Sequence, residues 1–439
     1  MEEVELVAVA AFGLEAIVVR ELHALGYENV AVEDGRVRFR APLSAVARTN
    51  LWLRCAERVQ IVVGEFPAKN FDDLFDTVKE LEWERWLPVD AKFPVEARCV
   101  RSLIRSVPNT QKMVKRAIVE RMRKIHSRHW FAETGIEYTI ECNILGDRAQ
   151  LTIDTTGDGL HKRGYRKFAG SAPLRETVAA ALVKLSYWSR DRLLVDPFCG
   201  SGTIPIEAAM IGRNIAPGRI RNFAAEEWPQ IPRSLWTEAR QEARDLEDRR
   251  PFSVAIIGTD ISRDAVKNAR MHARTAGVET DIHFEKKEFV EFPTNRDYGI
   301  TICNPPYGER MGEEEEVRQL YRDMGELLCP LEDWSHYILT SYERFEREFG
   351  RRADRRRKIF NARIPCTYYQ YLGPKPPGHL FAEDGEGDTE SRPQRSEQSE
   401  RSESHGRPER PENRDRPQRG FGQGNFRDEF PSRDDGRHD

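Results

Sequence analysis

Long apolar runs, paired cysteines and a strong net charge are all missing from this 439-residue chain. Its start, MEEVELVAVAAFGLEAIVV, is apolar but carries Glu2, Glu3, Glu5 and Glu15 and no basic leader. That pattern fits neither a signal peptide nor a membrane helix, which needs about 20 consecutive apolar residues. A cytoplasmic location without a membrane partner is expected. The seven cysteines, Cys55, Cys99, Cys142, Cys199, Cys303, Cys329 and Cys366, are scattered and lack CxxC spacing. Neither a disulfide framework nor a metal site is expected from them. The net charge of −4 averages unlike parts, because residues 376–439 hold 11 Lys+Arg against 16 Asp+Glu. The rest is close to neutral, which leaves room for local basic patches. No Val, Ile or Leu follows Leu380, so residues 378–439 are expected to form a disordered charged tail. Its RGFGQGNFR stretch is a weak RNA-contact candidate.

What is present suits two or three domains. Residues 1–65 alternate short strands and helices in a ferredoxin-like α+β pattern, with a hairpin at Asp34-Gly35. Residues 66–158 repeat that style. Their helix TQKMVKRAIVERMRKIHSRH sets Lys112, Lys115, Arg116, Arg123 and Lys124 among apolar Val114, Ile118, Val119 and Met122. Such a face is either plainly solvated or a contact for phosphates. A short basic loop, LHKRGYRKFAG, carries Lys162, Arg163, Tyr165 and Arg166 and suits a nucleic-acid backbone. From residue 159 to 377 helices alternate with buried strands, the sign of a parallel sheet. An excursion rich in Arg, Glu, Trp and Pro interrupts the alternation at 212–250.

Chemistry gathers at four strand ends. LLVDPFCGSGTIPIEAA delivers Asp196, then a turn with Gly200 and Gly202, then a helix. Glycines there allow a ligand close to the backbone. The turn is neither a GxGxxG fingerprint nor a P-loop, and its acid suits a ligand with a cationic end rather than a pyrophosphate. VAIIGTD ends in Asp260, placed to accept from ribose hydroxyls or to cap the helix from Ser262. A third strand leads to Glu288, a candidate acceptor from an adenine amino group. The fourth delivers Asn304-Pro305-Pro306-Tyr307. Two prolines remove two donors and fix two φ angles, giving a rigid corner that is either a plain turn or a clamp for a flat, amine-bearing group.

The four together resemble class I S-adenosylmethionine-dependent methyltransferases of exocyclic amines. DPFCGSGT, NPPYGER, DTTGDGLHKRGYR, APLRETVAAAL, GRNIAPG and RRRKIFNARIPC resemble one family in particular, the bacterial THUMP-domain RNA methyltransferases similar to RlmL, the 23S rRNA guanine-N2 methyltransferase. The likeness spans about residues 1–375. It implies a ferredoxin-like subdomain at 1–65, an RNA-binding THUMP domain at 66–158 and a seven-stranded Rossmann-like methyltransferase domain at 159–377. It further implies that Asp196, Phe198, Gly200, Gly202, Thr203, Asp260, Ile261, Glu288 and Asn304 hold S-adenosyl-L-methionine. Asn304 and the Pro305 carbonyl would grip the target amine on the Pro305-Pro306 corner, with Tyr307 against the base. Glu288 stands where the family commonly has Asp, and Ala362 replaces a usual glycine. The second methyltransferase domain of longer fused relatives has no counterpart in this sequence.

The implied activity is methylation of guanine N2 in 23S rRNA. Its rivals are a tRNA guanine-N2 methyltransferase, a DNA adenine-N6 or cytosine methyltransferase, a protein-glutamine methyltransferase and a non-catalytic RNA-binding assembly factor. The basic α+β half favours RNA; intact glycines and an intact corner favour catalysis.

Overall fold

The computed structural model describes residues 3–166, 174–252, 255–292, 296–307 and 314–377. The tail expectation at 378–439 lies outside the described residues. The N-terminal half runs β1 (Glu3–Ala10), α1 (Glu15–Ala24), β2 (Val30–Glu33), β3 (Arg36–Pro42), α2 (Ser44–Trp52), β4 (Ala56–Pro67), α3 (Phe71–Glu80), β5 (Val95–Val100), α4 (Val107–His126), β6 (Ile140–Leu145) and β7 (Arg148–Asp154). All seven strands join one sheet in the order β2-β3-β1-β4-β7-β6-β5. The reason is the 12-residue β4, which pairs with β1 on one side and β7 on the other. Two stretches that read as separate α+β units are thus built on a shared strand.

The second half runs α5 (Glu176–Leu185), β8 (Leu194–Asp196), α6 (Thr203–Gly212), α7 (Arg233–Asp245), β9 (Ile256–Asp260), α8 (Arg263–Ala276), β10 (Ile282–Lys286), β11 (Ile300–Cys303), α9 (Glu314–Leu328), β12 (Ser335–Thr340), α10 (Phe345–Phe349), β13 (Arg355–Asn361) and β14 (Ile364–Tyr371). The sheet order is β10-β9-β8-β11-β12-β14-β13. Its first five strands are parallel; β14 runs antiparallel to both neighbours. β8, β11 and β12 are buried along their whole length, as strands covered on both faces must be. One face packs on α5 and α6 in a core continuous with the N-terminal half, while the other holds an aromatic cluster of Phe289, Tyr321, Trp334, Phe345 and Tyr369. Strand order reverses between β8 and β11, the switch point where open α/β sheets bind ligands.

The 212–250 excursion supplies α7, which packs against α2 of the N-terminal half. There Glu242 takes two hydrogen bonds from Arg48, each 2.7 Å. Two elements lack a clear sequence signal: α9, which opens in three glutamates, and β13, whose first four residues are all exposed cations. β13 is an edge strand, so neither face has to be apolar along its length.

Candidate active site

Strand register brings the chemistry to one edge. Ile300 and Thr301 of β11 pair with Leu194 and Val195 of β8, so Asp196 and Asn304 leave adjacent strands. On the other side Asp196 pairs with Gly258, two residues before Asp260. Gly200 and Gly202 have φ of +52° and +85°, left-handed values that a β-carbon disfavours. A Cβ at Gly202 would lie 2.9 Å from Ala269 and from the Phe284 ring, whereas one at Gly200 would meet nothing within 4 Å. The turn is therefore packed on its helix side and open at Gly200.

Asp260 braces this turn. It accepts the Gly200 N–H at 2.9 Å and the Ser262 N–H at 2.8 Å, one on each oxygen. Ser262, whose side chain accepts the Ala265 N–H, is the N-cap of α8, so Asp260 is not. Each Asp260 oxygen keeps a second lone pair for a hydroxyl donor. Asp196 is buried and accepts the Phe198 N–H at 3.2 Å. Burial raises its pKa well above the usual carboxylate range, and Asp260 pushes the same way. Among the described residues no ion pair reaches it. A buried acid without a cation, beside an open glycine, fits the cationic amino-acid end of a sulfonium cofactor.

The other sequence candidates for the cofactor divide. Phe198 stacks on Phe289 at 5.2 Å between ring centroids, tying the loop after β8 to the loop after β10. Ile261, just past Asp260, is 67% exposed, and Glu288 is exposed ahead of a short turn. Both rim the edge beyond β9 and β10. Thr203 is buried, with its hydroxyl accepting from Arg166 at 2.5 Å.

In the corner, Pro305 is buried, Pro306 is exposed, and Asn304 and Tyr307 are half-buried. The Tyr307 hydroxyl donates to Asn304 Oδ1. Burial raises its pKa strongly, so it stays a donor and fixes the Asn304 carboxamide. The Pro306 carbonyl accepts from Tyr321 of α9 at 2.9 Å, and the Tyr321 oxygen also lies 2.9 Å from Thr340 Oγ1 at the end of β12. Among the described residues no donor reaches the Pro305 carbonyl. The Cys366 sulfur lies 3.9 Å from the Tyr307 oxygen. Tyr321 and Cys366 carry no sequence signal, since only the fold brings them to the corner.

The RNA-contact candidates also split. On α4, Val114, Ala117, Ile118 and Met122 face the core, while Lys112, Arg116, Arg123 and Lys124 are exposed. Lys115 is half-buried, bonded to Glu133 at 2.5 Å and to the Phe93 carbonyl at 2.9 Å. The basic loop requires a correction. Arg163 is 1% exposed, its Nε donating to the fully buried Glu207 of α6 at 3.2 Å and an Nη2 to the Arg54 carbonyl at 2.5 Å. The Tyr165 hydroxyl donates to the same Glu207 at 3.1 Å. Arg166 is spent on Thr203 and the Leu174 carbonyl. A buried carboxylate demands a partner; Arg163 and Tyr165 supply it for Glu207. Arg163 also ties the second half to Arg54 of the first, and Arg166 is held within the second half. These three side chains are therefore engaged inside the protein instead of lying on an open basic surface. Lys162 alone of the four is exposed, bonded to Asp158 at 2.6 Å. The overlooked signal was Glu207 itself, an acid within the apolar IPIEAAMIG.

Residues 5–60 match a profile described as RlmL ferredoxin-like domain, 68–154 the THUMP domain and 163–370 an RMKL-like methyltransferase domain. The chain is 46% identical over 375 residues to "Putative RNA methyltransferase YpsC" of Bacillus subtilis, covering 84% of this chain and 96% of that one. It is 33% identical over 382 residues to "Ribosomal RNA large subunit methyltransferase K/L" of Syntrophotalea carbinolica, covering 84% of this chain but 53% of the relative. A Listeria monocytogenes structure named a "predicted N6-adenine-specific DNA methylase" matches at 50% identity with a TM-score of 0.81, over 85% of this chain and 97% of its own. SMU.472, "a putative methyltransferase complexed with SAH", matches at 44% identity and a TM-score of 0.80, over 86% and 100%.

Proposed function

The chain belongs to the RlmL-like family of THUMP-containing class I methyltransferases, and from that footing we propose that it methylates an exocyclic base amine in RNA, guanine N2 of 23S rRNA in particular. Its cofactor is S-adenosyl-L-methionine. Asp196 and the Gly200 turn would hold the amino-acid end, Asp260 the ribose, and Ile261, Phe198 and Glu288 the neighbourhood of the adenine. When bound there, the cofactor supplies an electrophilic methyl group.

The chain's own part is to present the nucleophile. A guanine 2-amino group is a poor one, because its lone pair is delocalised into the ring. Asn304 Oδ1 has a second lone pair beyond the one that Tyr307 uses, and the Pro305 carbonyl is available. If each accepts one N–H, the nitrogen is drawn toward tetrahedral geometry and its lone pair is aimed away from the protein. Fixed orientation is worth several orders of magnitude in rate, and the two acceptors stabilise positive charge developing on nitrogen. No strong base is needed, since a methylated arylammonium loses its proton readily to water. A base inside a duplex must leave its stack to reach this corner.

The observation that carries the reading is the adjacency of Asp196 and Asn304 on parallel neighbours at the switch point. RNA over DNA is supported by the THUMP match and by the exposed cations of α4. Asn304→Ala tests it: methyl transfer should fall at least about a hundredfold, far more than any loss of cofactor affinity at this shared residue. Wild-type turnover in that variant would end the clamp reading.

A further inference from the structure

Farther along the same sheet edge, past β12, an open cleft of about 510 Å³ lies where the N-terminal half meets the β13–β14 hairpin, lined by Ala11, Phe12, Glu57, Arg175, Phe360 and Ala362. Phe12 is 56% exposed on the turn between β1 and α1. It meets Phe360 of β13 edge-on, 6.2 Å between centroids at 79°. Two rings from different halves of the chain thus form an open aromatic corner. Its position is rigid: Gly13 has φ +89°, and a Cβ there would lie 2.8 Å from the Lys358 carbonyl. Arg175, also in the lining, donates its backbone N–H to Asn361 Oδ1 at 3.3 Å and its Nη1 to Glu57 at 3.0 Å.

The cleft stands beside the clamp but is not part of it. Phe360 pairs with Pro365, and Ile359 with Cys366, whose sulfur touches the Tyr307 hydroxyl. Strand spacing puts Phe360 on the order of 10 Å from Tyr307. Strand alternation turns Phe360 to the opposite face of the ribbon from Cys366. A base in the clamp cannot also fill the cleft, but a chain running from the clamp over the ribbon's edge can. Along that edge Arg355, Arg357, Lys358 and Arg363 are exposed. Cations on an edge strand also deter strand pairing, yet that need explains neither the outward Phe12 nor the cleft beside it.

We propose that the Phe12–Phe360 corner is a subsite for a nucleotide flanking the methylated one, its base stacked on Phe12 and its phosphates met by Lys358 and Arg363. Single-stranded nucleic acid is held in this way elsewhere, by aromatic faces set in a basic groove. The size suits one nucleotide, since small-molecule sites run from roughly 300 to 1,000 Å³. The inference rests on the RNA reading above and adds a feature of the substrate: an unpaired neighbour to the target.

The test is fluorescence anisotropy of the full chain with a short single-stranded oligoribonucleotide, beside a separate titration with S-adenosyl-L-methionine. Phe12→Ala should weaken RNA binding about tenfold, equivalent to about 1.4 kcal/mol, and leave cofactor affinity unchanged. Phe12→Trp should restore RNA binding. Arg363→Ala should lower the slope of log affinity against log salt by about 0.7, the value for one lost phosphate contact on a single strand. A wild-type chain that binds RNA with Phe12→Ala equal to it overturns the subsite alone. A wild-type chain that binds no RNA overturns the subsite and the RNA reading together.

Discussion

Tyr321→Phe isolates the support behind the Pro-Pro corner from the corner itself. Tyr321 is fully buried, its ring edge-on to Phe345 at 5.0 Å. Its oxygen is 2.9 Å from both the Pro306 carbonyl and Thr340 Oγ1. Phenylalanine keeps the ring and its packing, so no cavity opens beyond the lost oxygen. The carbonyl and the threonine hydroxyl each lose a partner, which costs about 1–3 kcal/mol of stability when such groups stay buried. Pro306 is itself exposed, so its carbonyl has a route to water and the lower end applies. The catalytic consequence is alignment: if about 1.4 kcal/mol of positioning is lost, methyl transfer slows about tenfold. Among the described residues no hydrogen bond links Tyr321 to Asp196 or Asp260, so cofactor affinity should not move. Single-turnover methylation and cofactor titration on one preparation read both quantities. An unchanged rate, or a rate loss matched by an equal loss of cofactor affinity, would refute the claim that Tyr321 positions the corner.

Gly202→Ala adds a side chain at φ +85° and sets its Cβ 2.9 Å from Ala269 and Phe284. A loss of about 2–4 kcal/mol in stability is expected, with weaker cofactor binding, and a melt with wild-type stability would contradict the packing described for the turn. His336 is buried beside Thr301 Oγ1 at 3.2 Å, and burial pushes its pKa from 6.5 down to about 4. Because its folded value is depressed, the stability it contributes is present above about pH 6.5 and lost as pH falls through 4. The full drop corresponds to roughly 3 kcal/mol, and His336→Gln should flatten that part of the stability–pH curve; an unaltered curve would contradict it.

Much of the fold was legible because the relevant signals are local. Apolar strands followed by glycine turns and amphipathic helices announce a parallel sheet, and acids or amides at strand ends announce its ligand edge. Partnerships across long sequence separations were not legible. Arg163, Tyr165 and Arg166 look like a basic surface loop until Glu207 and Thr203, some 40 residues on, are packed against them. β13 shows no strand alternation in its sequence, because its first four residues are all exposed cations on an edge strand. β4 unites two apparent subdomains through pairings on both of its sides. Ala362 takes φ +56° at the tip of the β13–β14 hairpin, a left-handed value that favours glycine, which explains why the resemblance leads one to expect glycine there.

The most direct measurement is nucleoside mass spectrometry of large-subunit rRNA, tRNA and duplex DNA, each incubated with the purified chain and S-adenosyl-L-methionine. N2-methylguanosine in rRNA, lost with Asn304→Ala, is the expected product. Methyladenine in any of the three, or methylation confined to DNA, would contradict the proposed function.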